Sequence, residues 1–116
     1  VELQLTAWER LELLRCLPEN AHLSEMNQLL RIDDVLQLTK EETKQLGGYR
    51  ESQVVIDGKL GTRVEWDQDT TYTLEIDTAD VEKLIQLAER RKAWPRDRRS
   101  KELEAKWQEW KKEVAQ

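Results

Sequence analysis

The period of the apolar positions changes along the chain, and each change predicts an element. The opening, VELQLTAWERLELLRCLP, begins with strand-like alternation and passes into near-helical spacing at Leu11, Leu14 and Leu17, with Leu13 beside them. Thr6 and Glu9 have the spacing of a capping box, which places a helix start there, and Pro18 is expected to stop that helix. Ser24 is the expected cap of a second helix carrying Met26, Leu29, Leu30 and Ile32 and ending near Leu36. Thr39 and Glu42 form another capping box before a short helix that Gly47 and Gly48 terminate.

From Tyr49 the period becomes two. SQVVIDGKLGTRVEWD holds a β-branched run, an Asp57-Gly58 pair suited to a tight turn, and a second alternating run through Arg63, Val64, Glu65 and Trp66. After DQDTT, the segment YTLEID puts Tyr72, Leu74 and Ile76 on one face, and Trp66 and Tyr72 are expected to pair across the strands. Asp77 or Thr78 then caps a helix with the stripe Val81, Leu84, Ile85 and Ala88, ending at Trp94 before Pro95. A last helix starts near Arg98. The predicted class is α+β: N-terminal helices, a small antiparallel β-meander and two C-terminal helices, without internal repeats.

Length adds one expectation: 116 residues suit a single domain with one small core. With 38% hydrophobic and 37% charged residues, most of the surface must be ionic. No apolar run approaches a membrane span and no signal-peptide pattern is evident, so a cytoplasmic protein is expected. Cys16 is the only cysteine, which precludes an intrachain disulfide. The net charge of −5 hides a division. Residues 1–89 hold nine Lys or Arg against nineteen Asp or Glu, an acidic body, whereas residues 90–116 hold ten against five.

Residues for catalysis or metal binding are sparse. His22 is the only histidine and has no patterned Cys or acidic neighbour, so a zinc site of the usual Cys and His type is excluded by count. Cys16 reads as a small packing residue and His22 as an exposed loop residue. Asp67 and Asp69, Asp33 and Asp34, and Glu41 and Glu42 read as solvated surface or helix-start electrostatics, since DQDTTYTLE lacks the central glycine and the correctly placed terminal Glu of a calcium loop. The four glycines form no phosphate cradle. A non-enzymatic protein without cofactor or metal is expected.

The most informative segment is AWPRDRRSKELEAKWQEWKK. Leu103, Trp107, Trp110 and Val114 fall on one helical face, a packing stripe that favours protein contact over base stacking. Glu and Lys interleave elsewhere on that helix, as on a solvated face with local ion pairs. The cations concentrate upstream, where residues 90–101 hold seven Lys or Arg against Asp97 alone. Such a corner could neutralise phosphates, or it could offset a helix dipole and meet the acidic body. The partner-binding residues expected are Trp94, Arg96, Arg98 and Arg99, with Arg90 and Arg91 beside them and Trp107 and Trp110 unless these are buried. Two alternatives stay open: a nucleic-acid-binding accessory factor using the same cations, and a virion or assembly component. Oligomeric state is not predicted.

As a whole the order of elements resembles a family of small phage-encoded proteins of mostly unassigned function. The resemblance rests on LQLTAWERLELLRCLP, with Glu-Arg-Leu inside and Leu-Pro at its end, then RVEWD, LEID and the stripe Val81, Leu84, Ile85. It covers nearly the whole chain and departs from the family at WQEWKK, where Leu-Tyr and a basic-aromatic ending would be expected. By analogy with small phage proteins in general, and from an acidic body beside a basic, Trp-bearing corner, the expectation is a stoichiometric interaction protein of the host cytoplasm that binds and inhibits a host or phage protein complex, such as transcription or defence machinery. The resemblance carries over no catalytic residue.

Overall fold

A computed structural model describes residues Val1 to Gln116. The elements run β1 (Glu2–Thr6), α1 (Ala7–Leu14), α2 (Leu23–Leu36), α3 (Lys40–Lys44), β2 (Arg50–Ile56), β3 (Lys59–Glu65), β4 (Thr71–Glu75), α4 (Thr78–Arg90) and α5 (Arg98–Val114). The fold is α+β, as the alternation of periods predicts.

The strands do not form one meander. β4 leaves β3 and pairs antiparallel with β1, while β2 and β3 form a separate two-stranded sheet. The register of β1 and β4 explains the preference: Leu3 lies opposite Leu74 and Leu5 opposite Tyr72, so apolar side chains meet on the face that the helices cover. Tyr72 therefore pairs with Leu5 rather than with Trp66. The intervening loop is held elsewhere, because Gly47 and Gln68 form an isolated bridge and Asp69 accepts from the N–H groups of Ala7 and Trp8 at 2.9 and 3.2 Å.

Asp69 completes the start of α1. Thr6 Oγ1 accepts from Glu9 N–H and Glu9 Oε1 accepts from Thr6 N–H, so with Asp69 all the first amides of the helix have partners. The same capping box recurs at Thr39 and Glu42 before α3. α1 ends at Leu14, short of Pro18, and Leu13 is its fully buried leucine, whereas Leu11, Leu14 and Leu17 are only half-buried. α2 begins at Leu23 with His22 in the cap position, and Ser24 sits inside its first turn rather than before it. At the hairpin turn Asp57 and Gly58 both have positive φ, 52° and 77°, the conformation a two-residue turn requires.

The principal core joins Leu3, Leu5 and Leu13 to Ile32 and Leu36 of α2, to Val81, Leu84, Ile85 and Ala88 of α4, and to Leu103, Trp107 and Trp110 of α5. α4 and α5 thus bury the stripes that their spacing predicts. A smaller cluster of Ala7, Leu46 and Tyr72, flanked by Leu38, Tyr49 and Trp66, anchors the root of the β2–β3 hairpin. The rest of that hairpin stands apart, with no residue of either strand buried. No helix is long and apolar enough to cross a membrane.

α1 also buries charge. Arg10 is 1% exposed, and its guanidinium donates to the carbonyls of Val35, Leu36 and Gln37 at 3.2, 3.0 and 2.7 Å, and to Glu42 Oε2 at 2.7 Å. It therefore closes the C-terminal end of α2, where unpaired carbonyls and the negative end of the helix dipole favour a cation. Tyr72 lies beneath it, 5.1 Å from guanidinium carbon to ring centre.

Candidate functional site

The predicted partner-binding residues run from the end of α4 through the connecting segment into α5, and the structure separates them into two groups. α4 ends at Arg90, four residues before Trp94, because Arg91 turns to extended backbone and sends its side chain inward. Its Nη1 meets the Glu12 carboxylate at 2.9 Å and the Glu12 carbonyl at 3.3 Å, and its guanidinium carbon sits 4.3 Å from the centre of the Trp94 ring. Glu12 is itself buried. Arg91 is therefore an internal strut between α1 and the corner, and it is not free for a partner.

Trp94 is half-buried between Arg91 and Trp107, whose ring centre is 5.3 Å away at a tilt of 38°. Trp107 and Trp110 are 4% and 6% exposed and belong to the core, so the expectation that they bind a partner is corrected. The reason is the helical stripe: their spacing from Leu103 turns both rings toward α4 and β1. The Trp107 indole nitrogen is buried without a hydrogen-bond partner.

Asp97 organises the start of α5. Its Oδ1 accepts from Arg99 N–H at 2.8 Å as an N-cap, and its Oδ2 holds the Arg99 guanidinium at 2.7 Å. These hydrogen bonds from Arg99 push the Asp97 carboxyl below the usual carboxylate range. Arg99 also lies 4.6 Å over the Trp8 ring. It is thus held from both sides within the chain. Ser100 Oγ donates to the Pro95 carbonyl at 2.8 Å and fixes the bend.

What remains is a set of exposed cations, close along the chain, with no carboxylate within salt-bridge distance: Arg90, Lys92, Arg96 and Arg98. Elsewhere the chain pairs nearly every Lys and Arg, including Lys106 with the buried Glu9 and Lys111 with Glu89. Only Lys40 and Lys59 are similarly unpaired. Arg96 and Arg98 rim an open cleft of about 500 Å³ that Trp94, Pro95, Asp97, Ser100 and Lys101 also line.

From the charge pattern alone Arg91 and Arg99 are indistinguishable from the cations around them. Asp97 directly before a helix start was a readable cap signal for Arg99, whereas nothing local marks Glu12 as the partner of Arg91. Burial pushes the Cys16 thiol up, with Arg91 acting in the opposite sense, and Cys16 donates to the Glu12 carbonyl at 3.5 Å. No group of three or more His, Cys, Asp or Glu side chains converges in a manner that could hold a metal ion. No family model, no curated protein and no solved structure matches the chain.

Proposed function

We propose that the chain is a non-enzymatic interaction protein that binds an acidic surface of another protein complex through its basic corner and inhibits that complex. The observation that carries this reading is the concentration of unpaired cations along the chain: Arg90, Lys92, Arg96 and Arg98 all fall within residues 90–98 and have no carboxylate partner, while most other cations are paired. A paired cation must give up an existing contact to bind, whereas an unpaired one retains its electrostatic free energy for a partner and steers the encounter. The resemblance to small phage-encoded proteins supports a host or phage complex, such as transcription or defence machinery, in the host cytoplasm.

A protein partner suits the corner better than nucleic acid. Single-stranded binding draws much of its strength from bases stacking on open aromatic faces. Here Arg91 and Trp107 occupy Trp94, Arg99 covers a face of Trp8, and Trp107 and Trp110 are buried.

Affinity purification from host extract, with the wild type and the Arg96→Glu/Arg98→Glu variant side by side, tests the proposal. A specific partner retained by the wild type should bind the variant about tenfold or more weakly, since two reversed charges at an interface cost on the order of 1.4 kcal/mol or more. Melting temperature should be unchanged. Fluorescence titration with DNA and RNA at two salt concentrations is the counter-test: micromolar binding that falls steeply with salt and is lost in the variant would overturn the protein reading.

A further inference from the structure

The β2–β3 hairpin has two unpaired edges, and Val55, Ile56 and Leu60 on it are 70%, 62% and 70% exposed. Apolar strands with open edges tend to associate. The two edges differ in what they offer. The two-residue turn makes Ile56 and Lys59 a mutually hydrogen-bonded pair, so the alternation along the ladder directs the N–H and C=O groups of Leu60, Thr62 and Val64 outward on β3. On β2 the outward groups belong to Glu51, Gln53 and Val55.

Two β3 strands laid antiparallel about a two-fold axis at Thr62 match at every position. Thr62 faces Thr62, Leu60 faces Val64 and Lys59 faces Glu65, the last two combinations each occurring twice. The outward groups of Leu60, Thr62 and Val64 then all find partners. Gly61 lies opposite Arg63 and leaves it room. A shift by two residues, the smallest that keeps the outward groups aligned, sets Lys59 against Arg63 or Arg63 against itself. Pairing through β2 about Gln53 sets Glu51 against Val55 and Arg50 against Ile56. An axis at Val64 faces Arg63 with Glu65 but leaves Leu60 beyond the partner strand, so the Thr62 register is the one that pairs all three outward residues while combining opposite charges with apolar pairs; Lys59 has no salt bridge within its own chain, and Glu65 shares its carboxylate with Arg50 and Arg63.

We propose that two copies of this chain associate through β3 in that register, forming a symmetric dimer with a four-stranded antiparallel sheet in the order β2–β3–β3–β2. Val55 and Leu60 of one copy then share a continuous face with Val64 of the other. The dimer is independent of the basic corner and stands or falls separately from it.

Sedimentation equilibrium of the full chain over a range of concentrations tests this. A concentration-dependent dimer is expected, with amide exchange at Leu60, Thr62 and Val64 slowing as the dimer forms. Thr62→Pro should abolish it and spare the hairpin, because the Thr62 N–H takes no part in the β2–β3 ladder. Lys59→Glu and Glu65→Lys should each weaken association about tenfold, and an equimolar mixture of the two should restore it, since every contact between positions 59 and 65 is again attractive. Glu65 also holds Arg50 and Arg63 in its own chain, at 3.2 and 2.7 Å, so Thr62→Pro and Lys59→Glu decide the matter if Glu65→Lys disturbs the hairpin. A chain that stays monomeric at about millimolar concentration, or a dimer indifferent to both Thr62→Pro and Lys59→Glu, overturns the proposal.

Discussion

Arg10 shows how one side chain joins distant parts of this molecule. It satisfies three carbonyls at the end of α2, pairs with Glu42 at the start of α3 and covers Tyr72. Arg10→Met would keep the buried stem but leave those carbonyls and Glu42 without their donor, at a cost of about 3–5 kcal/mol readable from urea unfolding. The pH dependence follows from the same contact. The hydrogen bond from Arg10, opposed by burial and assisted by Thr39, holds the Glu42 carboxyl below its ordinary value of 4.5. A carboxyl lowered in the folded state contributes stability that is complete above its unfolded pKa and lost as pH falls through the folded one. Melting temperature should therefore fall on acidification below about pH 4.5, and less so in Arg10→Met, where the partner is already gone. The sequence did not disclose this role, because nothing local marks Arg10 or Glu12 for burial and Glu9 reads only as half of a capping box. Their burial depends on Lys106, Leu36 and Arg91, which only the folded chain brings near.

At the scale of elements, what the sequence disclosed was local. Both capping boxes, the Asp57-Gly58 turn and the stripes of α4 and α5 depend on residues within a turn or two of one another. Strand pairing does not. Nothing in YTLEID distinguishes β3 from β1 as its neighbour, and the choice falls to the match of Leu3 and Leu5 with Leu74 and Tyr72 across about seventy residues. The two ends of the hairpin offer a test of how local and distant constraints combine. Gly58 and Gly48 both have positive φ, 77° and 73°, but a Cβ at Gly58 meets open space whereas one at Gly48 would press into the Asp67 carboxylate. Gly58→Ala should cost about 1 kcal/mol from backbone strain alone. Gly48→Ala should lower the melting temperature more, since it adds displacement of the Asp67 that Arg50 holds at 3.0 Å. Thermal unfolding of the two variants gives the comparison, and equal losses would mean that the Asp67 contact contributes nothing.

For the whole molecule the decisive question is whether the basic C-terminal region is an appendage or part of the body. Its charge suggests an appendage, with ten cations against five acids after residue 89. Its packing makes it part of the body: α5 supplies Leu103, Trp107 and Trp110 to the core, and Lys106 and Lys111 tie it to Glu9 and Glu89. Each buried indole is worth about 3–5 kcal/mol against truncation to Ala, and the two together rival the total stability of about 5–15 kcal/mol usual for a domain. Removing α5 should therefore unfold the remainder. A chain ending at Pro95 is expected to lose cooperative melting by circular dichroism, and trypsin is expected to cut Arg96 and Arg98 in the intact protein without releasing a stable 1–95 body. A soluble 1–95 fragment that melts at the temperature of the full chain would show that the tryptophans serve a partner rather than the fold. The free cations would then have to be regarded as one continuous surface with them. With α5 fixed in the core, the corner's exposed arginines lie outside the packing that holds the fold, so reversing the charge of Arg96 and Arg98 should leave cooperative melting intact by circular dichroism.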